Sequence, residues 1–216
     1  MGNIFNPDSS LMQGLSKVTD IIVLNLLTVL LSIPVITAGA AIAALYDATW
    51  RIVQDEGSVY RSFFRAFKSN FKQATVLWIM IVLSGLALGY CVLFYVQNEL
   101  LPMVVVSSML FLLWAVSVAW VFPLQSRFEN TIWHTLKNSF LCGIGYLPRS
   151  LAMAVLKLLP WVVFLLATNT WIQMSFLWLA FWMAMTAYVS LMLLRKPFAK
   201  LMGQEEPEKT EQETEE

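Results

Sequence analysis

The stretch GSVYRSFFRAFKSNFKQ, residues 57–73, decides how this chain is read. Wound at about 100° per residue, Arg61, Arg65, Lys68 and Lys72 fall in one stripe, and Tyr60, Phe63, Phe64, Phe67 and Phe71 form the adjacent aromatic face. That pattern is an amphipathic helix, too charged to cross a bilayer. It runs directly into a long apolar segment, which places it on the cytoplasmic surface as a foot that feeds that segment into the membrane.

Working outward, composition sets the class. Hydrophobic residues make up 58% of the 216 and charged residues only 13%, too little charge to coat a soluble domain of this size. The formal charge of zero hides a segregation, because seven of the fourteen acidic residues lie in the last twelve positions and leave the body basic. Cys91 and Cys142 lie in or beside apolar segments without paired spacing and read as packing residues. The first twenty residues lack the basic region and short apolar core of a cleavable signal.

Five segments have the length and apolarity to span: about 21–46, 73–98, 102–125, 150–168 and 171–194. The first is uncharged over twenty-six residues, about 39 Å of helix against a hydrocarbon core of roughly 30 Å. Within it Pro34 predicts a kink, and Ala38, Gly39, Ala40, Ala43 and Ala44 predict a small-residue face for close helix packing. An alternative use of the same residues is a polar site built from carbonyls freed by Pro34 with Thr37 and Gly39. Turning back at Pro34 would leave halves of about thirteen residues, too short to cross, so a full span is expected. Gly85 and Gly89 form a GxxxG pair that predicts a helix contact. Glu99 marks a short turn, Pro102 opens the next helix, and that span ends at Pro123.

The loop 127–149 resembles a second foot, LKNSF at 136–140 aligning with FKSNF at 67–71. His134, the single histidine, lies there without an imidazole or carboxylate partner and reads as interfacial. Lys157 is the one ionisable residue within any of the five segments, a candidate intramembrane polar site whose stem is also long enough to snorkel to the surface. The fold expected is therefore all-α: a polytopic helical bundle of about five transmembrane helices with two cytoplasmic amphipathic helices. Residues 1–202 form one domain and residues 203–216 a disordered acidic tail. Lysine and arginine concentrate on the side of the two feet, with only Lys17 opposite, which predicts an outside amino terminus and a cytoplasmic carboxyl terminus in the cell membrane.

The chemistry is sparse. HExxH, GxSxG, the Walker loop, a carboxylate pair near a single face and a cysteine–histidine arrangement are all missing, so neither catalysis nor a cofactor or metal is expected. The basic stripe is accounted for by lipid headgroups, which leaves nucleic acid out. The near absence of ionisable groups from the spans disfavours an ion-coupled pump and leaves a facilitator open.

Three blocks carry a family resemblance: LNLLTVLLSIPVITAGAAIAALY at 24–46, RSFFRAFKSNFKQAT at 61–75 and FPLQSRFENTIWHTLKNSF at 122–140. In this order they resemble the YesL-like family of bacterial membrane proteins, a domain of unknown function. The resemblance implies Gram-positive bacteria and a genomic setting beside carbohydrate ABC transporters. A non-catalytic accessory or regulatory role in oligosaccharide uptake is therefore expected, and a small autonomous facilitator or channel is the alternative. The partners implied are the lipid bilayer and either ABC-transporter permease subunits or a second copy of the chain. The family's motif positions map onto Pro34, Thr37, Gly39, Arg65, Phe67, Asn70, Phe71, Arg127, Phe128, Glu129 and Asn130 as candidate interaction or architectural residues. Arg61 and Lys68 of the basic stripe join them.

Overall fold

A computed structural model describes residues 10–54, 59–166 and 181–201, and all of its regular secondary structure is helical. The expected tail 203–216, the turn at Asn169 and Thr170 and the first part of the segment 171–194 lie outside the described residues.

The first helix, α1, runs over Ser10–Ser32 and stops where Pro34, extended at φ −74° and ψ 105°, cannot continue it. A single 3-10 turn, Val35–Thr37, leads into α2, Ala38–Val53. Contacts with the next helix, α3 (Val59–Gln97), fix the directions of both. Asp20 of α1 accepts a hydrogen bond from Tyr60 at the start of α3. Gly39, at the start of α2, packs on Ala74 and Trp78 further along it. Because α2 then ends six positions before α3 begins, α1 ascends beside α3 and α2 descends again. The chain reverses at Pro34.

This corrects the continuous span expected over 21–46. The length argument measured only the uncharged window, whereas α1 begins at Ser10 and carries Lys17 and Asp20 within it. The expectation of an outside amino terminus rested on that span and loses its basis, since Asp20 and the first turn of α3 sit at one end of the structure.

The foot and the second apolar segment are one unbroken helix of 39 residues. Glu99, at φ 56°, makes the left-handed turn into α4, Leu101–Arg127, which has Pro102 in its first turn as predicted. The helix α4 runs back along α3: Trp114 donates its indole N–H to Ser84 at 2.9 Å, and Trp78 meets Phe122 at 6.3 Å between ring centroids. Pro123 does not end it, since the helix continues to Arg127.

Next comes α5, Ile132–Gly145, started by the Thr131 hydroxyl, which accepts from the His134 amide. One face of it is buried and the other exposed, as expected of an amphipathic helix. Thr135 donates to Gln125 at 3.3 Å and Gly143 abuts Ser117 and Val116, so α5 folds back along the buried half of α4. Helix α6, Leu147–Leu166, leaves it at 105°. The bend is held by Ser150, which accepts from the Trp120 indole at 2.7 Å and lies 2.9 Å from the Gly143 carbonyl and 3.0 Å from that of Tyr146. The last helix, α7 (Met183–Leu201), brings Phe198 against Trp50 and Phe128.

The core forms where these elements converge on α2, whose small residues Ala40, Ala43, Ala44 and Ala48 are fully buried among Leu24, Phe63, Leu77, Trp120 and Leu191. Beyond it the α3/α4 hairpin projects with apolar side chains outward. Gly14–Ser32, Val59–Gln97 and Leu101–Arg127 are each long and apolar enough to cross a membrane, and the bent pair Ile132–Gly145 and Leu147–Lys157 passes the same test as a unit. The protein is thus an all-α membrane protein with three to four candidate spans among the described residues.

Candidate interaction surface and the inward lysine

The foot of α3 has two faces. Phe63 is fully buried, with Ser62 and Ala66 beside it, and Phe67 and Phe71 are half-buried with their rings 5.6 Å apart. Arg61, Arg65, Lys68 and Lys72 all point away from the bundle. Between the faces lies an open groove lined by Phe64, Phe67, Lys68, Ser69, Phe71 and Lys72. Asn70 is half-buried and does not line it.

The family-motif residues after Pro123 gather at the same end. The Arg127 guanidinium stacks over Trp50 of α2, 4.6 Å from the ring centre. Phe128 meets Phe198 edge-on at 5.9 Å. The Asn130 carbonyl accepts from the Gln73 amide, which ties the two foot regions together. Glu129 is exposed. Asp47 lies 3.7 Å from Arg51. Burial pushes the Asp47 carboxyl above its ordinary value, and the charges of Arg51, Arg127 and Arg65 oppose that shift. Asp47, Trp50 and Gln73 organise this end and were not among the residues singled out by sequence. A period-3.6 pattern does not distinguish a tryptophan that packs from one that stacks on a distant arginine.

Pro34 and Thr37 stand apart at the hairpin tip. The Thr37 hydroxyl donates to the Leu31 and Pro34 carbonyls, and Ile33 takes the Leu30 carbonyl at 3.4 Å. The acceptors at the break are satisfied locally. Gly39 is buried against α3, where its missing side chain allows the helices to touch. Of the GxxxG pair, Gly85 lies under the Trp114 ring of α4, and Gly89 has nothing within 4 Å.

Lys157 points inward. Its ammonium donates to the Ala119 carbonyl of α4 at 3.1 Å and lies 5.6 Å from the Tyr46 ring. Ala119 is the residue four before Pro123, so its carbonyl lacks the helical N–H it would otherwise receive. The lysine fills the vacancy that the proline creates, reaching a carbonyl 38 positions away in sequence, and does not snorkel outward. Asn25, fully buried, accepts from the Ala184 amide at the start of α7. Among the described residues, no three His, Cys, Asp or Glu side chains gather as a metal site.

The hairpin of α1 and α2 and the long α3 pack as one continuous unit. Residues 21–91 match the DUF624 family, described as a protein of unknown function. The match agrees with the YesL-like resemblance and covers most of that unit, from Ile21 in α1 to Cys91 in α3. No curated protein and no solved structure matches the chain. The DUF624 segment contains the break at Pro34, the buried Gly39 and the whole basic stripe. The cluster Arg127–Asn130 lies outside it in sequence and packs onto it through Trp50 and Gln73.

Proposed function

We propose that this chain is a non-catalytic accessory or regulatory component of a bacterial cell membrane, which docks on the permease of a carbohydrate ABC transporter. The observation that carries the reading is the continuity of α3. One rigid helix presents Arg61 and Arg65 outward on a core-anchored foot and runs without a break into an apolar segment long enough to span. A contact made at the foot is therefore coupled mechanically to the membrane part. The carbohydrate setting comes from the YesL-like resemblance, with which the DUF624 match agrees.

In this reading the ends of α1 and α7, together with the feet, face the cytoplasm, because Lys17 then joins the other lysines and arginines on one side. The facilitator alternative has less support, because the polar groups that would line its path are already engaged. Thr37 bonds to its own turn, Asn25 to Ala184 and Lys157 to Ala119.

Affinity purification from the native membrane in mild detergent, with mass spectrometry of the intact complex, tests the proposal. A stoichiometric permease subunit is expected with the wild-type protein and its loss with Arg61→Glu/Arg65→Glu. A clean homo-oligomer with no permease would overturn it and shift attention to solute flux through reconstituted vesicles.

A further inference from the structure

The outward face of α3 changes character once. From Arg61 through Arg65 and Lys68 to Lys72 it is cationic, and one turn later it becomes apolar through Val76, Ile79, Leu83, Leu86, Tyr90 and Leu93, all exposed. Val76 to Gln97 is about 33 Å of helix, close to the roughly 30 Å of bilayer hydrocarbon. The polar turn at Asn98 and Glu99 closes the far end of that stretch, so the near boundary falls between Lys72 and Val76.

Distance along the axis then separates the four cations. Lys72 lies about 6 Å and Lys68 about 12 Å from Val76, whereas Arg65 and Arg61 lie about 17 and 23 Å away. The headgroup layer occupies only about 5–8 Å on each side of the hydrocarbon. Lys72 falls within it and Lys68 reaches it through its long stem. The two arginines stand clear in water. The groove already described is lined by these two lysines, and its other walls are Phe64, Phe67 and Phe71 with the Ser69 hydroxyl. Two ammonium groups beside an aromatic floor, continuous with a lipid-facing apolar surface, suit a phosphodiester carried on acyl chains better than an acidic peptide, which would leave the apolar continuation uncovered.

We propose that this groove, at its membrane end, is a binding site for an anionic phospholipid, with Lys68 and Lys72 holding the phosphate, Phe71 packing against the glycerol and the exposed Val76 and Ile79 meeting the upper acyl chains. The site goes beyond the docking role, which is assigned to Arg61 and Arg65.

Native mass spectrometry of the full-length protein, released from mixed micelles of phosphatidylglycerol and phosphatidylcholine, tests it. One basic residue at an anionic surface changes binding about five-fold. Each lysine-to-glutamine change should therefore lower phosphatidylglycerol retention by about that factor, and Lys68→Gln/Lys72→Gln by about thirty-fold. Arg61→Gln/Arg65→Gln should retain the lipid while losing the permease, and the lysine variant should do the reverse. Equal retention of both lipids by the wild type would overturn the proposal. So would an equal loss in the arginine variant, which would reduce the site to diffuse charge. Capture of an acidic peptide in preference to phosphatidylglycerol would overturn it as well.

Discussion

Replacing Gly39 by alanine tests the packing of α2 on α3 directly. A Cβ at position 39 would collide with the Ala74 carbonyl oxygen and the Trp78 Cβ, and would stand 3.1 Å from the Ala74 carbonyl carbon. None of these atoms is the free end of a flexible side chain, so the two helices must separate. Overpacking of this kind costs about 1–3 kcal/mol, and with backbone as the obstacle the upper end applies. Alanine's better helix propensity offsets about 1 kcal/mol of that. The net expectation is about 2 kcal/mol of destabilisation, roughly a thirty-fold change in the unfolding equilibrium. Unfolding of the purified protein in detergent, followed by loss of the monodisperse peak, measures it. Gly89→Ala supplies the control on the same scaffold. With nothing within 4 Å of its Cβ, only the propensity gain of about 1 kcal/mol remains, and that variant should equal or exceed the wild type. If Gly39→Ala proves as stable as Gly89→Ala, the close approach of α2 and α3 is wrong, and the hairpin assignment falls with it.

Other expectations follow from the same contacts. Lys157→Met should cost about 1–3 kcal/mol by leaving the Ala119 carbonyl without a donor. In a Pro123→Ala background the new amide at position 123 takes that carbonyl, so the lysine substitution should cost less, and a double-mutant cycle of unfolding free energies reads the coupling. Additive costs would show that the lysine and the proline do not share the carbonyl. Ser150→Ala removes the acceptor of the fully buried Trp120 indole and should also cost about 1–3 kcal/mol, visible as a lowered thermal midpoint. Phe67→Asp should reduce the folded yield itself because Phe67 packs against the core, whereas Arg65→Glu should change partner binding at unchanged yield. Equal yields would place Phe67 on the surface.

The α3 foot was legible because its period is local: buried Phe63 and exposed Arg61, Arg65, Lys68 and Lys72 follow from the winding of a single helix. Pro34 was legible as a break, but not its consequence. Whether a broken segment bends onward or turns back depends on what the second half packs against. Here that is the surface of Ala74 and Trp78, which Gly39 alone can approach. The partner of α5 was hidden for a related reason. Thr135, Ser139 and Gly143, spaced four apart and all buried, are a small-residue seam for α4, and the neighbouring Lys137 and Trp133 obscured it. The site fared unevenly for the same cause. Lys157 could be named from its sequence surroundings, but the carbonyl that receives it is determined by a proline on another helix. Likewise, the Ser150–Trp120 and Gln73–Asn130 bonds join residues 30 and 57 positions apart, separations over which no periodic pattern reaches.

The hairpin at Pro34 also bears on biosynthesis. A segment that turns back at Pro34 carries no loop away from its own end, so Lys17 and Asp20 of α1 and Asp47 of α2 stay toward one end of the structure. The α3/α4 hairpin then takes across only the short turn around Glu99, which brings one carboxylate with it. Topogenesis of this half asks very little of the insertion machinery, and moving one charge into the turn at Val35–Thr37 would burden it more than any change to the feet.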